Sequence, residues 1–206
     1  MTDGTATVTL PGDAPITVEL LVAVRGGDVD LIRRLLSANP ELARARFAGK
    51  AGTTTALHFV TDWPGYFPNG PDILHLLIDA GADPNARTTG RDSQTPGPGA
   101  ETPLHYAASS DDVDVAAALI DRGADLETPG GSIGTPLDNA VGYACWHVAR
   151  LLVMRGAQVD KVWHAVRSAC WNAWTNSSYP TSIRSKFHRD SGTPAAPVNA
   201  VRPNAC

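Results

Sequence analysis

Residues 101–109 read ETPLHYAAS, and 33 residues further on, at 134–142, the chain reads GTPLDNAVG. The match continues without a gap. ETPLHYAASSDDVDVAAALIDRGADLE (101–127) lies over GTPLDNAVGYACWHVARLLVMRGAQVD (134–160), with Thr102 over Thr135, Pro103 over Pro136, Leu104 over Leu137 and Gly123 over Gly156. Further back, TALHFV (55–60) and LLIDAGADPN (76–85) repeat the start and the end of the same unit, with Thr55, Leu57, His58 and Gly81 at the matching positions. Earlier still, VELLVAVRGGDVDLIRRLLSANPEL (18–42) keeps the apolar spacing but loses the TPLH letters. Self-similarity at a fixed period is the mark of a repeat architecture. The chain divides into a leader (1–16), four copies (17–50, 51–97, 98–130 and 131–160) and a tail (161–206).

Each copy predicts two short helices. In the third, Thr102 is a suitable N-cap and Pro103 suits the first helical position, where its missing N–H has no partner to lose. Leu104, Ala107 and Ala108 fall at i, i+3 and i+4 on one face. The polar SSDD (109–112) breaks this helix and caps the next, predicted from Val113 to Ile120. Gly123 is placed to take the left-handed conformation just past that helix. Helices this short are marginal alone and become stable only when neighbouring copies bury each other's faces.

The TPLH, TPLD and TALH starts and the GAD endings, in register at a 33-residue period, resemble the ankyrin repeat family over residues 18–160. The resemblance implies an all-α solenoid of stacked helix pairs with hairpin fingers projecting from one side. It also implies that the residue after Leu57 and Leu104, a His in both copies, bonds to the Thr hydroxyl and nearby backbone and ties one repeat to the next. The expected function is noncatalytic protein binding on the finger tips and the exposed ends of the first helices. By register those positions are Arg25, Asp62, Trp63, Ser109, Ser110 and Tyr143, with Arg91 and Glu101 added by the longest finger.

Three segments depart from the pattern. The first copy has Val18 in place of Thr, Leu21 in place of His and SANPEL (37–42) in place of the GAD ending, which suits an end repeat with one neighbour. The second copy is 14 residues longer than the period. Five extra residues fall in WPGYFPNGP (63–71) and nine after Gly81, in RTTGRDSQTPGPGAE (87–101), a composition of exposed loop. After Asp160, KVWHAVRSA (161–169) begins a fifth first helix, but the remainder, rich in Ser, Thr, Pro and Asn, completes no repeat. A disordered tail is one reading; loss of a longer array by truncation or frame shift is another.

Composition narrows the function. Residues 1–160 carry 11 Lys and Arg against 20 Asp and Glu, and an acidic body argues against nucleic-acid binding, which needs clustered positive charge. The tail carries six Lys and Arg against one Asp, without a like-charge run. No apolar run is long enough for a membrane span. The start, MTDGTATVTL, lacks the basic and apolar segments of a secretory signal, so a cytoplasmic location is expected; a monomer is the expected state. The three Cys, at 145, 170 and 206, are too few and too scattered for a disulfide framework.

Catalytic readings fare poorly. A catalytic base is needed once, whereas His58 and His105 recur by repeat and give way to Asp138 in the fourth copy and Leu21 in the first. Cys145 and His147 do not have a structural zinc spacing, and His75 and His164 lie elsewhere, so no metal or cofactor is expected. The glycines of GPGAE and PGGSIG form no phosphate-binding motif, and no G-x-S-x-G is present. Asp111, Asp112 and Asp114 sit at a helix start, where the helix dipole favours acids. Trp63 and Tyr143 are the strongest anchors for a partner, although Trp63 has the alternative of packing on Tyr66 and Phe67 in its own insert. Two other function classes stay open: a piece of a longer ankyrin-containing protein, and an enzyme with a cleft between the long finger and Trp63.

Overall fold

The computed structural model describes residues 7–90 and 100–161. Arg91, most of the second insert and the tail beyond Lys161, including the expected fifth helix and His164, lie outside the described residues. The chain divides into two units, Met1–Gln158 and Val159–Cys206. All the elements below belong to the first.

Eight α-helices form four pairs among the described residues: α1 (Pro15–Gly26) with α2 (Val29–Ala38), α3 (Ala56–Thr61) with α4 (Gly70–Asp79), α5 (Pro103–Ser110) with α6 (Val113–Asp121), and α7 (Pro136–Gly142) with α8 (Trp146–Met154). First helices stack on first helices in the order α1, α3, α5, α7, and second helices likewise in the order α2, α4, α6, α8. The repeat period places one Leu at the same point of each layer. Leu20, Leu57, Leu104 and Leu137 are all buried in the first helices, and Leu77, Leu119 and Leu152 are fully buried in the second. Each such side chain contributes roughly 1.5–3 kcal/mol on burial, so the core is built layer by layer.

The caps follow the letters. Thr55, Thr102 and Thr135 each close a capping box with the residue three places on, His58, His105 or Asp138. Asp28 and Asp112 cap α2 and α6 by accepting from the backbone N–H of Leu31 and Val115. Gly81, Gly123 and Gly156 have φ of 103°, 87° and 100°, the left-handed region that ends a helix at little steric cost.

Two expectations are corrected. The first concerns an all-α fold: the N-terminal half also carries a four-stranded sheet, in the order β1 (Thr9–Pro11), β2 (Arg46–Ala48), β3 (Gly52–Thr55), β4 (Thr89–Gly90). Strands β2 and β3 form an antiparallel hairpin with Phe47 opposite Thr54. The β-branched run Thr53–Thr55 favours extended backbone. Strand β4 comes from the second finger, and Gly52 (φ 147°) leaves room for the Thr89 carbonyl, with which any Cβ would collide. Strand β1, inside the stretch expected to be a leader, pairs in parallel with β2.

The second concerns the first copy. Val18, aligned with the capping Thr, lies within α1, which starts at Pro15 after an uncapped Ala14. Without a Thr to fix its start, the helix extends back to the proline.

The five-residue insert between α3 and α4 is fastened to both neighbouring repeats. The Tyr66 backbone N–H donates to Asp112 at 2.5 Å, the Tyr66 hydroxyl donates to the Asp111 carbonyl, and Asn69 Nδ2 donates to the Gly27 carbonyl at 2.9 Å.

Candidate functional site

The Thr–His pairs sit where successive repeats meet. His58 Nδ1 lies 3.2 Å from Thr55 N and 2.9 Å from Thr55 Oγ1, while Nε2 lies 3.1 Å from the Glu101 carbonyl in the next repeat. His105 repeats the arrangement: Nδ1 is 3.2 Å from Thr102 N and 2.8 Å from Thr102 Oγ1, and Nε2 is 3.0 Å from the Gly134 carbonyl. The Thr N–H must donate, so Nδ1 accepts and Nε2 carries the proton given to the next repeat. Burial lowers the pKa of His58 to about 4 and lowers that of His105 as well, since a charged imidazole is costly away from water. Both ring nitrogens of each His are therefore engaged within the protein. In the fourth repeat Asp138 Oδ2 accepts from Thr135 N at 2.8 Å and Thr135 Oγ1 at 3.2 Å, closing the box within its own repeat.

The positions expected at the partner face divide into two groups. Trp63 is 76% exposed, which does not fit burial against Tyr66 and Phe67. Its backbone N–H is held by Asp62 Oδ1 at 3.0 Å, and Asp62 pairs with Arg25 across the repeat boundary at 3.3 Å. Tyr143 is 52% exposed, its hydroxyl 3.2 Å from Ser132 Oγ. On α1, Val18 and Val22 are also exposed, one turn apart and one turn before Arg25.

Ser109, Ser110 and Glu101 belong to the second group and are half-buried. Ser110 Oγ donates to the carbonyls of Tyr106 (2.8 Å) and Thr61 (3.0 Å), and Ser109 Oγ to that of His105 (2.9 Å). Such back-bonding is what a Ser in a last helical turn does. Glu101 Oε1 accepts from Asn139 Nδ2 at 2.7 Å and from Ser132 N at 2.9 Å. Glu101 thus ties the third repeat to the fourth, Ser110 ties it to the second, and Ser109 Oγ also accepts from Asn139 Nδ2 at 3.3 Å. Asn139, fully buried, is the residue that sequence reasoning missed. Its signal was present: Asn139 stands where the third copy has Tyr106, and an Asn facing a core needs polar partners.

Other chemistry-bearing groups are turned toward structural partners. Burial pushes the Cys145 thiol up to about 11, and its Sγ lies 3.4 Å from the Ser109 carbonyl. His147 Nδ1 lies 2.5 Å from Asp111 Oδ2, and His75 Nδ1 3.4 Å from an Arg122 guanidinium nitrogen. Among the described residues no group of three His, Cys, Asp or Glu is arranged to hold a metal ion, and no helix is long and apolar enough to cross a membrane.

Comparison with known proteins bears on the stack from α4 to α8. Residues 66–162 match the family model for ankyrin repeats, in three copies. No curated protein matches the chain.

Proposed function

From the premise that residues 66–162 are ankyrin repeats, a class of repeat that generally mediates protein–protein interaction, we propose that the chain is a noncatalytic module whose partner docks on the exposed ends of the first helices. The observation that carries this reading is Trp63, three-quarters exposed on an insert fastened to the repeats on both sides. A large aromatic presented on a fixed backbone binds with little loss of conformational freedom. Tyr143 supplies a second anchor, and the Arg25–Asp62 pair a polar rim. The reading includes a monomer in the cytoplasm that needs no cofactor, with Arg91 extending the contact from the long finger.

The engagement of His58 and His105 by Thr and carbonyl partners supports a noncatalytic role, because neither imidazole keeps a free nitrogen for proton transfer. Affinity capture on the wild-type chain, compared with a chain in which Trp63, Arg91 and Tyr143 are all changed to Ala, tests the proposal. Loss of captured partners with an unchanged melting temperature supports the face. The same partners on both chains would place binding elsewhere.

A further inference from the structure

Beside the start of β2 lies a cleft of about 460 Å³, lined among others by Arg44, Arg46, Gly81, Asp83, Asn85 and Arg87. Its arginines differ from most others in this acidic body. Arg25, Arg33, Arg122 and Arg155 each pair with a carboxylate, whereas Arg44 and Arg46 pair with none among the described residues. Both are held in place without one. The Arg44 guanidinium lies over Gly81, so close that a Cβ there would fall 2.7 Å from its Nε. Arg46 is half-buried, and its Nη1 donates to Thr53 Oγ1 at 3.2 Å and to the Arg87 carbonyl at 3.0 Å. That leaves its Nε and Nη2 edge without a partner among the described residues. Arg87 also lines the cleft, and its guanidinium donates to the Ala100 and Pro129 carbonyls. Asp83 shares the cleft but bonds instead to the backbone N–H of Asn85, at 2.8 Å.

We propose that this cleft is a carboxylate-binding site that takes a Glu or Asp side chain from an acidic segment of a protein partner. Three guanidiniums against the one carboxylate of Asp83 leave the cleft positive, a charge that an acidic segment complements. The planar fork of an arginine also matches a carboxylate through two parallel hydrogen bonds. The site uses no residue of the first-helix face, so the two readings stand or fall separately.

The test uses the full chain and a fluorescein-labelled (Gly-Glu)4 peptide, followed by fluorescence anisotropy, with (Gly-Gln)4 as the neutral control. The expected result is binding of the Glu peptide alone, weakened as salt is raised. Arg44→Gln should weaken it about fivefold, the scale of one exposed ion pair, with an unchanged melting temperature. Arg34→Gln, on the exposed side of α2, should leave it unchanged. No binding of the Glu peptide, equal binding of the Gln peptide, or equal losses for the two variants would overturn the proposal. Inorganic phosphate displacing the peptide at lower concentration than acetate would overturn the carboxylate assignment.

Discussion

The Nε2 atom of His105 lies 3.0 Å from the Gly134 carbonyl oxygen, across the boundary between the third and fourth repeats. Together with Nδ1, which takes the Thr102 N–H, this bond makes the imidazole a bridge between two layers of the stack. His105→Ala removes both bonds and leaves buried backbone groups unpaired, at a cost of about 1–3 kcal/mol. Urea denaturation should show a lower midpoint with an unchanged slope. Binding measured well below the transition should be retained; lost binding at unchanged stability would return His105 to the list of functional residues.

Burial of neutral imidazoles makes the stack acid-sensitive. The His58 pKa falls from 6.5 to about 4 on folding, and His105 shifts in the same direction. Between these values the unfolded chain holds a proton that the folded one does not, so stability rises with pH. The His58 contribution is fully present above about pH 6.5 and is lost as the pH falls toward 4, with a total on the order of 3 kcal/mol. Melting temperatures measured from pH 7 to pH 4.5 should fall, and His58→Gln should flatten the decline. A His58→Gln chain with the wild-type pH slope would remove His58 as its source.

The helix pairs were legible because the 33-residue offset puts Leu104 over Leu137 and Gly123 over Gly156, and a period of that kind records burial directly. The sheet was not. Strands β1 and β4 are three and two residues long, too short for an alternating pattern to rise above chance. What makes them strands is pairing with β2 and β3, distant in sequence. The hydrogen-bond partners of Glu101, Ser109 and Ser110 were hidden for a related reason. Register assigns a residue to a helix end or a finger, but only the neighbouring repeat decides whether its polar group faces water or Asn139.

Glu101 offers the sharpest separation of these roles. Its carboxylate takes Asn139 Nδ2 and Ser132 N, and Asn139 is fully buried. Glu101→Ala removes the nearer acceptor of the Asn139 Nδ2, leaving Ser109 Oγ at 3.3 Å, and should lower stability by about 1 kcal/mol. Glu101→Gln retains an acceptor oxygen and should recover part of the loss. Equal stability of all three chains in chemical denaturation would return Glu101 to the partner face.

Asp111 belongs to the third repeat but caps the fourth. Its Oδ1 accepts from the backbone N–H groups of His147 and Val148, both at 3.0 Å, at the start of α8. The helix has no side-chain cap of its own from Cys145. An acidic cluster at the start of α6 was expected to serve that helix through its dipole; of the three acids, Asp112 caps α6 while Asp111 reaches across. Asp111→Ala should cost about 0.5–2 kcal/mol, as for other capping residues. Amide exchange should rise most in α8. Exchange rising in α6 instead would show the cap working within its own repeat.

Trp63 and Tyr143 decide whether the exposed ends of the first helices bind anything. They are 76% and 52% exposed, and replacing such side chains usually changes stability by no more than about 0.5 kcal/mol. The Trp63→Ala, Tyr143→Ala chain should therefore melt within a degree or two of wild type. Hot-spot aromatics contribute about 2 kcal/mol or more each to a complex, so each change should weaken partner binding by roughly 30-fold. The two losses need not add, because anchors in one interface are coupled. Titration calorimetry with a captured partner gives the affinities, and thermal unfolding of the same preparations gives the control. A large fall in melting temperature would mean that the two rings pack against the protein. Unchanged affinity and unchanged melting would leave them as solvent-exposed side chains without a role in binding.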